Sequence, residues 1–314
     1  MGTRSVRIGG WELSLSRPAT IRSHRTAGPD DSILEFIEPV PQPNIARRDP
    51  QQATAFVTTA QERGAEHARA TGWQDDSELS DRVSSIPWYH TIELPDGRRT
   101  PGQFDHRALV PHYGMPHRLD GKRALDVATF DGFWAFEMER RGATVTAIDI
   151  ESNADLDFPT RARSIVDAVP QHAPTGRGFA LAHELLGSSV KRVISSVYDL
   201  SPDRHGSYDF VHCGDLLLHL REPLRALEAI RSVTAGEFLL SDVVDLHSPR
   251  GTFGPTVQYL GGWADVVWSI PSLDALGQML EDAGFTDVKV NTVYSLTKTY
   301  EDRGLWRASI TAKA

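Results

Sequence analysis

One run of the sequence restricts the fold more than any other. It is Arg123-Ala-Leu-Asp-Val-Ala-Thr-Phe-Asp-Gly-Phe-Trp-Ala-Phe-Glu-Met-Glu-Arg-Arg-Gly142, followed at once by Thr144-Val-Thr-Ala-Ile-Asp149. Ala124, Leu125 and Val127 form the short apolar run of a buried strand, and Thr129 to Gly132 read as a tight turn. Phe133, Phe136 and Met138 then recur at helical spacing, and Gly142 closes the helix. The following strand ends on the carboxylate of Asp149. This is a strand–helix–strand unit whose first turn faces a helix N-terminus. Its second strand ends in an acid about 20 residues on, as nucleotide-type sites require.

Only Gly132 stands in that turn. A dinucleotide needs Gly-x-Gly-x-x-Gly to lay a pyrophosphate on the helix terminus, and no Lys-Ser/Thr pair follows as in a P-loop. A turn with one glycine and the acids Asp126 and Asp131 suits a ligand that carries an ammonium group and no phosphate. S-adenosylmethionine meets that description. Any parallel α/β protein can show this pattern by chance, so the rest of the chain has to be read beside it.

With 314 residues, 40% hydrophobic and 24% charged, the chain has ordinary globular composition and room for one large domain or a domain with an extension. Its net charge of -9 argues against a broad polyanion-binding face. Cys213 is the single cysteine, which excludes an intramolecular disulfide and a Cys-based zinc cluster. His112, His117 and His247 lack metal spacing, so no metal is expected. No N-terminal apolar run reads as a signal peptide, and no segment is long enough to span a bilayer. The expectation is a soluble cytoplasmic protein without a membrane partner.

Gly9 to Ser16 alternates like a strand or hairpin. Pro39, Pro41, Pro43 and Pro50 mark an extended connection, and residues 51–70 read as a polar helix. Residues 80–86 predict a short helix stopped by Pro87. Nothing in the first 85 residues carries recognisable chemistry, and a lid or dimerisation arm is the expectation for them. Trp88-Tyr89-His90, beside the Pro-Asp-Gly97 turn, offers stacking surface and a titratable ring; a hairpin covering the domain edge is the equal alternative. From Lys122 on, strands and helices alternate. Strands are read at 123–127, 144–149, 190–195, 208–213 and 236–244, and helices at 179–187, 223–235 and 272–283. Strands at 287–294 and 306–312 follow one another without a helix, so the seventh is expected to be antiparallel. The fold class is therefore α/β, a Rossmann-like seven-stranded methyltransferase sheet with an N-terminal α+β extension. The domains divide as 1–118 and 119–314.

Three motifs resemble class I S-adenosylmethionine-dependent methyltransferases: Leu-Asp-Val-Ala-Thr-Phe-Asp-Gly-Phe-Trp-Ala-Phe-Glu, Ser-Val-Tyr-Asp-Leu, and His-Cys-Gly-Asp-Leu-Leu-Leu-His-Leu with Arg-Glu-Pro-Leu-Arg-Ala-Leu after it. With Trp-Tyr-His-Thr-Ile-Glu-Leu upstream, the chain looks like the bacterial group related to the tRNA wobble-uridine carboxymethyltransferase, over roughly residues 80–314. The resemblance implies S-adenosyl-L-methionine as cofactor. Asp126, Ala128, Thr129, Phe130 and Gly132 would surround its methionine half, and Asp149 its ribose. Ile150, Ser196, Val197 and Tyr198 would line the adenine, and Cys213 and Gly214 would border the sulfonium. Ala128 stands where the family usually has glycine.

In the carboxymethylating relatives a Lys, a Tyr and an Arg grip the extra carboxylate of the cofactor. Here His90 falls at the lysine position, while Tyr259 and Arg307 match the other two. A neutral histidine does not replace a fixed positive charge, so ordinary methyl transfer is expected. The acidic balance favours a small-molecule acceptor in natural-product biosynthesis over tRNA. The alternatives are a tRNA-modifying enzyme and a non-catalytic cofactor-binding scaffold. A proton must leave an O–H, N–H or acidic C–H acceptor, and His219 and His90 are the candidate bases, with Asp215 as an orienting or amine-binding group. A core histidine shaping the pocket is the alternative for His219. Trp88, Tyr89, Tyr259, Trp263 and Trp268 are candidates for an aromatic acceptor wall, with core packing as the alternative for each; Arg307 would face an acidic group on the acceptor. A homodimer through the N-terminal extension is a further expectation.

Overall fold

In a computed structural model the described residues are Trp73, 77–166, 175–246, 254–262, 266–297 and 304–314, with four strands nearer the N-terminus. The chain divides into two units, Met1–Arg48 and Asp49–Ala314. In the first, Arg4–Ile8 pairs antiparallel with Trp11–Leu15, and Ser23–Ala27 with Ile33–Ile37. The register sets Ile8 opposite Trp11 and Ala27 opposite Ile33. The helix read at 51–70 and the proline-marked connection lie outside the described residues.

The second unit holds seven sheet strands. They are β1 (Arg123–Val127), β2 (Thr144–Asp149), β3 (Lys191–Ile194), β4 (Tyr208–Gly214), β5 (Thr234–Val243), β6 (Thr286–Thr297) and β7 (Gly304–Lys313). Their order across the sheet is β6-β7-β5-β4-β1-β2-β3. Strands β1 to β5 pair in parallel, and β7 runs antiparallel to both β5 and β6. The chain reverses its direction of travel across the sheet between β1 and β4. The crevice beyond their carboxyl ends is where open α/β sheets bind ligands.

Helix ends follow their caps. Helix α1 (Glu78–Ser84) begins two residues before the sequence reading because the Ser77 side chain accepts from Ser80 N at 3.2 Å, and it ends before Pro87. Helix α2 (Phe133–Arg140) is followed by Gly142 in the left-handed region. Helices α3 (Arg177–Leu186), α4 (Pro223–Val233) and α5 (Leu273–Asp282) are the longest among the described residues, with Gly187 closing α3, Pro223 opening α4 and Ser272 capping α5; Thr160–Val166 and Pro202–His205 are shorter. Strand β5 starts earlier than read, at Thr234, whose hydroxyl donates back to Ile230 O at 2.8 Å.

Alternation along the strands sends successive side chains to opposite faces. Ala124, Val145, Phe210 and Leu239 pack with Trp134, Phe136 and Met138 of α2 and with Trp88, Tyr113 and Phe179. Leu125, Ile148, Val211, Cys213 and Phe238 pack on the other face with Leu227 and Ile230 of α4 and Leu276 of α5. Burial on both faces explains the apolar, weakly alternating strands of the sequence. Trp88 and Tyr113 belong to the first of these clusters, so the segment that precedes β1 is built into the same core.

That segment is held close by Gly102. Phe104 N donates to Tyr89 O at 2.8 Å and Thr91 N to Phe104 O at 2.9 Å. A methyl group on Gly102 would stand 2.1 Å from the His90 carbonyl carbon and 2.2 Å from Thr91 N, which are backbone atoms that cannot move aside. Gly277, inside α5, has nothing within 4 Å of the same position. Gly102→Ala should therefore cost about 1–3 kcal/mol or more and lower the melting temperature. Gly277→Ala should raise it by a few degrees, through about 0.5–1 kcal/mol of helix preference. Thermal melts followed by circular dichroism read both.

Candidate active site

The turn between β1 and α2 is a knot of hydrogen bonds. Thr129 Oγ1 donates to Asp126 Oδ2 at 2.7 Å, and Asp126 Oδ1 meets His212 Nδ1 at 2.7 Å. His212 Nε2 lies 3.1 Å from the hydroxyl of Tyr113, which stacks on Trp134 with centroids 4.0 Å apart. Asp131 accepts Tyr89 N at 2.9 Å and His90 N at 2.8 Å, and its other oxygen meets His90 Nδ1. Both acids are almost fully buried. These are the carboxylates that the sequence pattern offers to a ligand ammonium. The structure spends both on the protein itself, because a buried carboxylate must find donors where it stands.

Asp149 differs. It closes β2, is buried, and accepts Phe130 N and Ile150 N, each at 2.8 Å, on separate oxygens. One lone pair on each oxygen remains for a further donor. Burial raises its pKa to about 6 even though both amides pull it down. Beside it opens a cleft of about 670 Å³ lined by Ile150, Glu151, Ile194, Ser195, Ser196 and Asp199, among others. Ile194 is half exposed there. An acid able to accept two hydroxyls beside an open apolar edge fits an adenosine group. Val197 is buried, and Tyr198, whose hydroxyl donates to Asp157 at 2.6 Å, does not line the cleft.

At the other side of the switch, Asp215 follows β4 with φ 48°. Tyr89 OH donates to Asp215 Oδ2 at 2.7 Å. Arg307 Nε, from β7, donates to Oδ1 at 2.7 Å and Oδ2 at 2.9 Å. Burial alone would raise the Asp215 carboxyl, but Arg307 and Tyr89 outweigh it and hold it below the usual range. Phe104 lies under the Arg307 guanidinium at 5.2 Å, and Tyr89 packs on Phe104 and Phe130. His106 is buried between His90, Phe133 and Trp134, and among the described residues its Nδ1 has no hydrogen-bond partner. Burial first, then His90, keeps that imidazole well below its ordinary pKa and hence neutral at pH 7.

The structure gathers Asp126, Thr129, Phe130, Gly132, Asp149 and Gly214 at the crevice, with Tyr89, Asp215 and Arg307 opposite. It separates others. Cys213 points into the α4-side core, one residue out of phase with His212 and Gly214. Trp88 is fully buried, and its indole N–H donates to Val83 O at 3.0 Å, so it packs the core where an acceptor wall was expected. His90 is sealed against Asp131 and stacks on Phe133. Trp268 donates to Asp157 O at 2.6 Å, and Tyr259, 73% exposed, stands outside it. His219 is not among the residues separated: it follows β4 in the same loop as Asp215, half buried, with Nδ1 3.4 Å from Val266 O. Trp263 lies outside the described residues. The reading missed His106, Tyr113 and His212. Strand alternation was a signal for His212, which shares a face with Gly214. Among the described residues no group of three or more His, Cys, Asp or Glu could hold a metal ion.

Removing Arg307 would strand the Asp215 charge in the interior. Arg307→Leu should cost about 3–5 kcal/mol at pH 7.5 and lower the melting temperature by roughly 6–20 °C. The sign follows from the depressed Asp215 pKa. The pair's contribution is present above the unfolded carboxyl pKa and lost as pH falls through the lower folded one, so the difference between variant and wild type should hold down to about pH 4 and shrink below it. Melts across that range test it.

A family model described as a methyltransferase domain matches residues 105–290. A tRNA U34 carboxymethyltransferase from Pseudomonas fluorescens is 30% identical over 193 residues, 60% of this chain and 53% of that protein. A ubiquinone biosynthesis O-methyltransferase from Xanthomonas campestris pv. campestris is 33% identical over 116 residues, 37% of this chain and 39% of that one. The chain spans about half the length, or less, of these curated relatives. Among solved structures, the N-terminal domain of EvdMO1, crystallised in the presence of SAH and D-fucose, aligns with a TM-score of 0.48 and 17% identity over 77% of this chain and 99% of that one. The family match covers more than half of the sequence, and the chain belongs to the methyltransferase-domain family.

Proposed function

We propose that this protein transfers the methyl group of S-adenosylmethionine to a small-molecule acceptor, as in natural-product biosynthesis. The observation that carries the cofactor reading is Asp149, buried at the end of β2 with one lone pair left on each oxygen beside the open cleft. Its oxygens would accept the ribose hydroxyls, while Ile150 and Ile194 give the purine an apolar edge. When bound, the cofactor supplies a methyl group already activated by a sulfonium. The chain then has to align the acceptor, exclude water and take a proton. Tyr89, Phe104 and Phe130 form the aromatic side of that space. His219 is the base in this reading. It follows β4 in the same loop as Asp215, with Nδ1 3.4 Å from Val266 O.

Plain methyl transfer, and not carboxymethyl transfer, is supported by charge. Arg307 already faces a carboxylate of the chain, and His90, at the position of the relatives' lysine, is sealed against Asp131. The second reading is tRNA modification, favoured by the name of the Pseudomonas relative. The net charge of -9 weighs against it. Saturable binding to bulk tRNA with a steep salt slope would reverse that judgement.

Titration calorimetry with S-adenosylhomocysteine tests the cofactor site; no saturable heat would leave only a scaffold. Because ribose hydroxyls favour the charged Asp149, affinity should be level above pH 7. It should weaken about tenfold per unit as pH falls below about 6. Asp149→Ala should bind weakly at every pH. For the base, His219→Ala and His219→Asn should cut turnover about 10²–10⁴-fold and leave S-adenosylhomocysteine affinity within a few-fold. A large affinity loss would assign His219 to shaping the pocket.

A further inference from the structure

The contact of Asp215 with Tyr89 and Arg307 has the form of a receptor with its ligand in place. A guanidinium and a phenol hydroxyl converge on one carboxylate at 2.7–2.9 Å, and the Arg307 and Asp215 side chains are 5% and 13% exposed. The carboxylate is delivered by a backbone that L-residues seldom adopt, φ 48° at Asp215, in the loop directly after β4. That loop is fastened below: Asp215 N donates to Ser241 O at 2.8 Å, and Leu216 N and Leu217 N donate to Asp242 Oδ2 at 3.0 and 2.7 Å. Strain held in place at the mouth of a ligand crevice is a mark of function.

We propose that Tyr89 and Arg307 form an anion seat on the acceptor side of the crevice, that the chain's own Asp215 fills this seat, and that Asp215 thereby sets the selectivity of the site against carboxylate-bearing ligands. The inference rests on reading this chamber as the acceptor side, and it names the residue that decides ligand charge there. With Asp215 in place, an incoming carboxylate meets a like charge and finds the guanidinium already matched. A ligand without negative charge loses nothing. Without Asp215 the same walls present an arginine and a hydroxyl to whatever anion fits, a geometry that suits a carboxylate.

Asp215→Gly tests this without backbone penalty, since glycine accepts φ 48°. The probes are sodium acetate and sodium formate, compared with sodium chloride at equal ionic strength. In Asp215→Gly, acetate or formate should raise the melting temperature by roughly 2–5 °C in a saturable way at millimolar concentrations. Wild type should show no more than the chloride response, and Asp215→Gly/Arg307→Leu should lose the effect. Equal responses in all three proteins, or no response in a folded Asp215→Gly variant, would overturn the proposal. S-adenosylhomocysteine titration of wild type runs beside it. A missing cofactor heat with an intact acetate response defeats the enzyme reading and spares the seat; the reverse result defeats the seat alone.

Discussion

Burying the carboxylate of Asp131 obliges the chain to surround it with donors, and the donors come from 42 residues upstream. Two backbone amides and an imidazole close on it. A buried carboxylate left without them would cost several kcal/mol, so the contact is not optional. It fixes Tyr89 beside the cofactor turn. From there a continuous polar path runs through the Tyr89 hydroxyl to Asp215 after β4 and on to Arg307 in β7. One charge in the β1–α2 turn thus organises the segment before the sheet, the crevice and the antiparallel edge. The turn acids serve architecture, and Asp149 is the acid that keeps a lone pair on each oxygen for a further donor.

This explains how much could be read beforehand. The elements were legible because each rests on local causes: β2 occupies Thr144–Asp149 as its apolar run and terminal acid suggest, and Gly187 and Gly142 stop their helices. The antiparallel seventh strand followed from the missing helix before it. Side-chain destinies were not legible where they depend on distant partners. Nothing near Asp215 in sequence announces Arg307, which lies 92 positions away. Trp88 looked like a stacking surface because composition cannot tell a buried indole from an exposed one. Here the deciding facts are its position over α3, close to Gly178, and its bond to Val83 O. His106 sits in a segment that gave no chemical pattern, and only packing brings it against His90 and Phe133.

The backbone of the site is unusual in a consistent way. Ala128, Phe130 and Asp215 all carry positive φ, at 58°, 51° and 48°. Each such non-glycine residue costs about 1–2 kcal/mol, and each is retained at the carboxyl end of β1 or β4. The family's glycine at position 128 would relieve one of them. Compensation is visible nearby: Thr129 N donates to Ile148 O, Phe130 N to Asp149, and Asp215 N to Ser241 O. The sheet is rigid enough to hold these turns, and the turns aim Phe130 and Asp215 at the crevice.

Charge inside the crevice is arranged to divide by protonation. Asp215 is held ionised by Arg307, while His106 is held neutral by burial. Asp149 and Asp242 stand between, raised to about 6 and about 7, first by burial and, for Asp242, then by the charge of Asp215. Since their folded values lie above the unfolded carboxyl value, each contributes stability below about pH 4 that is lost as pH rises through 6 and 7. Asp215 works in the opposite sense over the acid range. The protein without ligand therefore carries two reluctant carboxylates at neutral pH, one under the β4 loop and one at the cleft. A ligand that donates hydroxyls to Asp149 removes part of that cost on binding. The instability is thus placed where ligand binding can relieve it, whereas the fully matched Asp215–Arg307 pair leaves nothing for an anion to relieve.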